Sequence, residues 1–122
     1  VAVEVAIKLA LQFWKAQGRP GKTRLAALRA AYHGDTFGAM ACCDPVNGMH
    51  AELFAEVLPK HLFLPAPDKP FGYSSGHSTT TPTTGPGTSS SAAVQEMERL
   101  IGENAESLAA LIVEPVVQGS GG

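Results

Sequence analysis

No apolar run in the 122 residues approaches the roughly 20 that a membrane-crossing helix needs, so no transmembrane segment and no membrane partner are expected. Basic blocks are missing too. Nine Lys and Arg against 11 Asp and Glu give a formal charge of -2, and without a basic stripe a nucleic-acid partner is not expected. Cysteine is scarce: only Cys42 and Cys43, adjacent in the chain. Disulfide geometry wants about 5.5 Å between Cα atoms with converging Cβ vectors, which neighbours rarely supply. The pair reads as reduced thiols, which fits a cytoplasmic compartment. With no second Cys pair at ligand spacing, no metal site is expected. An initiator Met, a basic leader and a cleavage signal are likewise absent before Val1-Ala2-Val3-Glu4, so the expectation is an internal piece of a longer chain.

What remains has the composition of a globular interior, 44% hydrophobic and 16% charged. Val1 to about Gln17 reads as a helix, rich in Ala and Leu and stopped by Gly18-Arg19-Pro20-Gly21. Glu4, Lys8, Gln12 and Lys15 make a narrow polar stripe. Val3, Ile7, Leu11 and Trp14 line one side and Val1, Val5, Leu9 and Phe13 another, so most of the circumference asks for burial. Trp14 is read as core. Arg24 to Arg29 has the apolar content of a buried strand. Phe37 to Cys42 follows as a short helix, ended by Asp44-Pro45.

Further on, Asn47-Gly48-Met49-His50 signals a turn, and Ala51 to Leu58 is expected to form two helical turns before Pro59. Leu62-Phe63-Leu64 suits a short strand. His50 and His61 read as surface or cap residues. The stretch 68–91, rich in Ser, Thr, Pro and Gly, reads as a flexible exposed loop. Ser91 then caps a helix with an apolar stripe of Val94, Met97, Leu100 and Ile101, closed by Gly102. Leu108 to Val113 is a continuous apolar run, as in a parallel strand covered on both faces.

Two loops carry the polar chemistry. Tyr32-His33-Gly34-Asp35-Thr36 lies between the first strand and the short helix, and Glu114-Pro115-Val116-Val117-Gln118-Gly119-Ser120-Gly121-Gly122 follows the last strand. In open α/β sheets, ligands sit beyond the carboxyl ends of strands, so both loops are placed to face one crevice. The alternative is a surface turn in which Gly34 relaxes the backbone and Asp35 caps the next helix, with Glu114 as a strand-end charge.

With Val1-Ala2-Val3-Glu4-Val5-Ala6-Ile7-Lys8, these two stretches resemble the class III pyridoxal-phosphate aminotransferases. The resemblance implies an α/β fold in which residues 1–122 are part of the pyridoxal-phosphate-binding large domain of a fold-type-I enzyme. Its architecture would be a mostly parallel sheet with flanking helices, in a homodimeric parent. Thr36-Phe37-Gly38-Ala39-Met40, Cys43-Asp44-Pro45 and Gly48-Met49-His50 are most similar to the branch that takes S-adenosylmethionine as amino donor and 8-amino-7-oxononanoate as acceptor, in biotin synthesis. Gly119-Ser120-Gly121, where other relatives carry Gly-Glu-Gly, points the same way. The alternatives are a class III enzyme using an ω-amino acid or diamine, and a non-catalytic α/β module that binds a partner through Tyr32 and the loop.

By the same resemblance, Tyr32, His33, Gly34 and Glu114 belong to the cofactor site. Tyr32 lays its ring on the cofactor's pyridine and directs its hydroxyl to substrate; Asp35 sits on the substrate side, opposite a cationic donor; and Glu114 supports from behind. The lysine that holds the cofactor covalently, the Asp on its pyridine nitrogen and the phosphate-binding Gly-Ser would fall outside this stretch. None of Lys8, Lys15, Lys22, Lys60 or Lys69 matches the lysine's position, so no catalytic residue is expected within these residues and the piece should be inactive alone.

Overall fold

The computed structural model describes residues 1–67 and 92–120. The 68–91 stretch, including the expected Ser91 cap, lies outside the described residues. Along the chain run α1 (Ala2–Ala16), β1 (Arg24–Leu28), α2 (Phe37–Ala41), α3 (Ala51–Phe54), β2 (Leu62–Leu64), α4 (Ala92–Asn104) and β3 (Leu108–Ile112). The three strands form a parallel sheet in the order β2-β1-β3.

β1 takes the central position because Leu25 to Leu28 is buried and presents no polar side chain to either face. Alternation splits it. Leu25 and Ala27 face Cys42 and Ile7 of α1, while Ala26 and Leu28 face Leu64 with Met97 and Leu100 of α4. A helix therefore lies on each face, the arrangement parallel strands demand. The two alanines leave room for close packing on both sides.

Outside that centre the burial is one-sided. Val3, Ile7, Leu11 and Trp14 of α1 are half-buried, whereas Leu9 and Phe13 are 59% and 54% exposed. On β3, Leu111 is exposed, so the strand expected to be covered on both faces is an edge of the described sheet with one row open. α3 is a single turn rather than two, and α4 runs past Gly102 to Asn104. There the Asn104 side-chain amide donates back to the Leu100 carbonyl and stops the helix instead.

Trp14 is a core residue with a polar anchor: its indole N–H donates to the Ala109 carbonyl at 2.6 Å. The Lys22 ammonium sits 4.5 Å from the Trp14 ring centroid and donates to the carbonyls of Ala105 and Leu108. That ties the end of α1 to the turn entering β3.

Asp44 organises the exit of β1. Its carboxylate is buried, with Oδ2 accepting the Ala30 N–H at 2.8 Å and Oδ1 accepting those of Val46 and Asn47 at 2.8 and 2.9 Å. Burial alone would raise its pKa. The three N–H donors and Arg29, 3.8 Å away, outweigh this and hold it below the ordinary carboxylate value. Ala30 is thereby kept at φ 60°, a left-handed turn costly for a residue with a Cβ. The Asp44 carbonyl also accepts the Gly48 N–H, and a Cβ at Gly48 would lie 2.1 Å from that oxygen.

His61, expected at the surface, is instead half-buried beside the sheet, where its Nδ1 accepts the Leu25 N–H at 3.3 Å. That bond requires an unprotonated Nδ1. Burial, with Arg24 nearby, lowers its pKa below the ordinary 6.5.

Two outcomes follow for the full-length protein. Asp44→Ala leaves three backbone donors without their acceptor and should cost about 3 kcal/mol of stability in denaturant unfolding; a loss under about 0.5 kcal/mol would contradict the assigned role. For His61, the depressed folded-state pKa means stability is fully present above 6.5 and is lost as pH falls through the folded value. The Tm advantage of wild type over His61→Gln should therefore shrink between pH 7.5 and 5, whereas a constant difference would contradict it.

Candidate functional site

The loops after β1 and β3 meet because these strands are parallel neighbours and their ends lie side by side. One carboxylate fastens them. Glu114 Oε1 accepts the Tyr32 N–H at 2.9 Å and Oε2 accepts the Gly119 N–H at 2.7 Å. The Gln118 side-chain amide adds a second tie, donating to the Arg29 carbonyl at 2.8 Å. Glu114 thus spends both oxygens on backbone, a supporting position of the kind the sequence suggests.

Within the first loop, the Tyr32 hydroxyl donates to Asp35 Oδ1 at 2.6 Å. This bond, with some burial, raises the phenol's pKa. Asp35 does not cap α2. Its neighbour Thr36 occupies the N-cap position, and the acceptor comes from elsewhere in the chain: Glu4 Oε1 of α1 receives the Thr36 hydroxyl at 2.5 Å and the Ala39 N–H at 3.1 Å. The Thr36 hydroxyl bond is the main reason the Glu4 carboxyl is held below its ordinary pKa. Gly38 makes room, since a Cβ there would stand 2.6 Å from the Glu4 oxygens. Glu4 therefore leaves the solvent stripe to which the helical pattern assigns it.

Gly34 has φ +130°, a backbone that disfavours any side chain, and a Cβ would also approach that of Ala39 to 3.2 Å. His33 turns inward. Its N–H donates to Cys43 Sγ at 3.3 Å, and Cys43 in turn donates to the Ala39 carbonyl at 3.3 Å. Burial lowers the His33 pKa, opposed by the charge of Glu114. Among the described residues, the buried His33 Nε2 has no hydrogen-bond partner.

A cavity of about 470 Å³ opens beside this loop, with Ala31, Tyr32, Cys43, Asn47, Met49 and Ser120 on its wall. The structure thus brings Tyr32 and Ser120 to one space, with Glu114 fastening their loops. Asp35 does not line it: 71% of its side chain is in solvent, beside the Tyr32 hydroxyl. The reading of the chain did not single out Glu4, Asp44 or Gln118. Gly38 is the one sequence signal for Glu4, because a glycine in a short helix is costly unless something must approach it.

A planar aromatic cofactor fits this wall in part, since the Tyr32 ring offers a flat face and the Ser120 hydroxyl a polar group; His33 and Gly34 shape the turn behind Tyr32 and do not line the cavity. No lysine among the described residues lines the cavity. Lys22 is committed to carbonyls behind Trp14, and Lys60 donates to the Ala55 carbonyl.

The profile of the family described as aminotransferase class-III matches residues 1–122. Over its whole length the chain is 47% identical to the adenosylmethionine-8-amino-7-oxononanoate aminotransferase of Corynebacterium glutamicum and 39% identical to that of Mycobacterium leprae, of which it covers 25% and 24%. It spans about a quarter of the length of the curated relatives it matches. Among solved structures, the adenosylmethionine-8-amino-7-oxononanoate aminotransferase of Methanocaldococcus jannaschii is similar with a TM-score of 0.68 at 30% identity, over 99% of this chain and 22% of that one. An amine transaminase from an uncultivated Pseudomonas species, in its PLP-bound form, is similar with a TM-score of 0.68 at 32% identity, over 99% of this chain and 25% of that one. With the profile matched from end to end and a parallel α/β sheet shared with transaminases, the chain belongs to the class III aminotransferases.

Proposed function

We propose that residues 1–122 are part of the pyridoxal-phosphate-binding large domain of a homodimeric enzyme that moves an amino group from S-adenosylmethionine to 8-amino-7-oxononanoate in the cytoplasm, toward biotin. The observation that carries this reading is the Glu114 clamp, which sets the Tyr32 turn and the Gly119-Ser120 loop together beside one cavity. The names of the relatives from Corynebacterium and Mycobacterium supply the substrates. Gly119-Ser120, in place of a Gly-Glu pair, supports the same branch.

Pyridoxal phosphate, when bound, supplies an aldehyde that takes up and returns an amino group and a ring that withdraws electrons. The chain's own part is positioning. Tyr32 would cover one face of the flat ring and shield it from water. His33 and Gly34 shape the turn that sets the Tyr32 ring, Gly34 through its positive φ and His33 through its backbone bond to Cys43. Asp35, exposed beside the Tyr32 hydroxyl, attracts a cationic donor, and its bond to Tyr32 orients the phenol oxygen. Glu114 keeps the Tyr32 backbone fixed while these contacts form. The lysine that moves the proton belongs to the remainder of the enzyme, and residues 1–122 alone should transfer no amino group.

A second reading, an ω-amino acid or diamine donor, is favoured by the similarity to amine transaminases at 32% identity; a donor screen on the full-length enzyme separates the two. The family match argues against a non-catalytic binding module.

In the full-length enzyme, Tyr32→Phe should retain the cofactor, measured by its absorbance, while kcat/KM for S-adenosylmethionine falls about 10- to 100-fold. Donor turnover equal to wild type would contradict the substrate-side role of the hydroxyl.

A further inference from the structure

His50 belongs to neither loop, yet it reaches the Tyr32 turn. The route is set by Asp44, whose carbonyl takes the Gly48 N–H and whose carboxylate takes those of Val46 and Asn47, so the chain doubles back immediately after Pro45. Two residues after Gly48, the His50 ring arrives beside Tyr32, with centroids 6.1 Å apart and planes 29° from parallel. On its other flank it meets Phe54 edge-on at 6.3 Å, and Phe54 meets Phe37 of α2 at 6.2 Å. The imidazole is therefore held in a row of rings, with its side chain only 12% exposed.

The end of that row is polar. His50 Nε2 lies 3.0 Å from Asp35 Oδ1, the same oxygen that accepts the Tyr32 hydroxyl at 2.6 Å. Nε2 is itself buried and makes no aligned hydrogen bond among the described residues, where its polar contact is with Asp35. Asp35 has 71% of its side chain in solvent against 12% for His50, and an exposed carboxylate ordinarily samples several rotamers. A ring packed on both flanks beside it restricts that freedom. With Oδ1 shared between phenol and imidazole, Oδ2 is left for a ligand.

We propose that His50 is a positioning residue. It holds Asp35 in the rotamer that accepts the Tyr32 hydroxyl hydrogen bond, and so presents the second carboxylate oxygen to the cationic amine of the donor. The inference rests on the transaminase reading for the identity of that ligand. Its geometric half, the His50-Asp35-Tyr32 arrangement, does not.

The test uses the full-length enzyme with His50→Phe, which keeps the ring contacts to Tyr32 and Phe54 and removes the nitrogen, and His50→Gln, which returns a polar nitrogen. In a crystal structure of His50→Phe, Asp35 should turn away and its contact with the Tyr32 hydroxyl should open beyond hydrogen-bond distance. Persistence of that contact in the wild-type rotamer overturns the proposal. In steady-state kinetics with S-adenosylmethionine, KM for the donor should rise about 3- to 10-fold, more than kcat falls, with His50→Gln between wild type and His50→Phe. In an Asp35→Asn background, His50→Phe should add nothing further, since both act through one carboxylate. Equal effects in both backgrounds, or a fall in kcat with KM unchanged, overturn the proposal. Should the wild-type enzyme transfer no amino group, the transaminase reading fails, and the crystallographic comparison still decides the role of His50.

Discussion

Two backbone N–H groups, Tyr32 and Gly119, stand 87 residues apart in the chain and share one carboxylate, that of Glu114. The parallel pairing of β1 and β3 brings their loops side by side, but pairing alone leaves loops free to move independently. Glu114 removes that freedom where it matters, at the first residue of the turn that carries Tyr32, His33, Gly34 and Asp35. A charged acceptor receiving two amide donors makes stronger bonds than a neutral one. The cavity wall depends on this: Tyr32 stands on one side of the clamp and Ser120 on the other.

Two further carboxylates do comparable work around the site, Asp44 on the cavity wall and Glu4 behind α2. Asp44, buried, holds the left-handed Ala30 and the turn that leads toward His50. Glu4 reaches across from α1 to the Thr36 hydroxyl and the Ala39 N–H, in a gap that Gly38 leaves open. The sheet supplies the platform, small on its central strand so that helices close on both faces. Each acidic residue satisfies backbone donors that a tight, irregular loop would otherwise leave unpaired. Polar satisfaction, more than apolar packing, fixes the shape of this rim.

The fold was largely legible. β1 and β3 announce themselves as short apolar runs, α1 by composition and its Gly-Arg-Pro-Gly stop, and the order of elements implies a parallel sheet. The extent of burial was less legible, because apolar residues such as Leu9, Phe13 and Leu111 cannot declare from sequence which neighbour covers them. Gly102 misled as a helix stop because the Asn104 side chain, two residues on, supplies the stop. Of the candidate site, the loops carrying Tyr32 to Asp35 and Glu114 were legible as strand-end loops, and the roles proposed for these residues come from the family resemblance. Glu4 was hidden by helical periodicity, which assigns it to solvent. Asp44 was hidden beside Pro45, whose own effect on the backbone accounts for the end of the helix, and His50 by lying in a turn whose path is set by the bonds of Asp44 to the backbone after it.

Glu114 is the carboxylate on which the joining of the two loops chiefly depends, with the Gln118–Arg29 bond as a second tie, and amide hydrogen exchange at Tyr32 and Gly119 in the full-length protein tests this most directly. Glu114→Ala should speed exchange at both amides about 10- to 100-fold, while Glu114→Gln, with a single remaining carbonyl oxygen, should release only one of them. Exchange at both amides unchanged in Glu114→Ala would contradict the account and return the site to two independent loops.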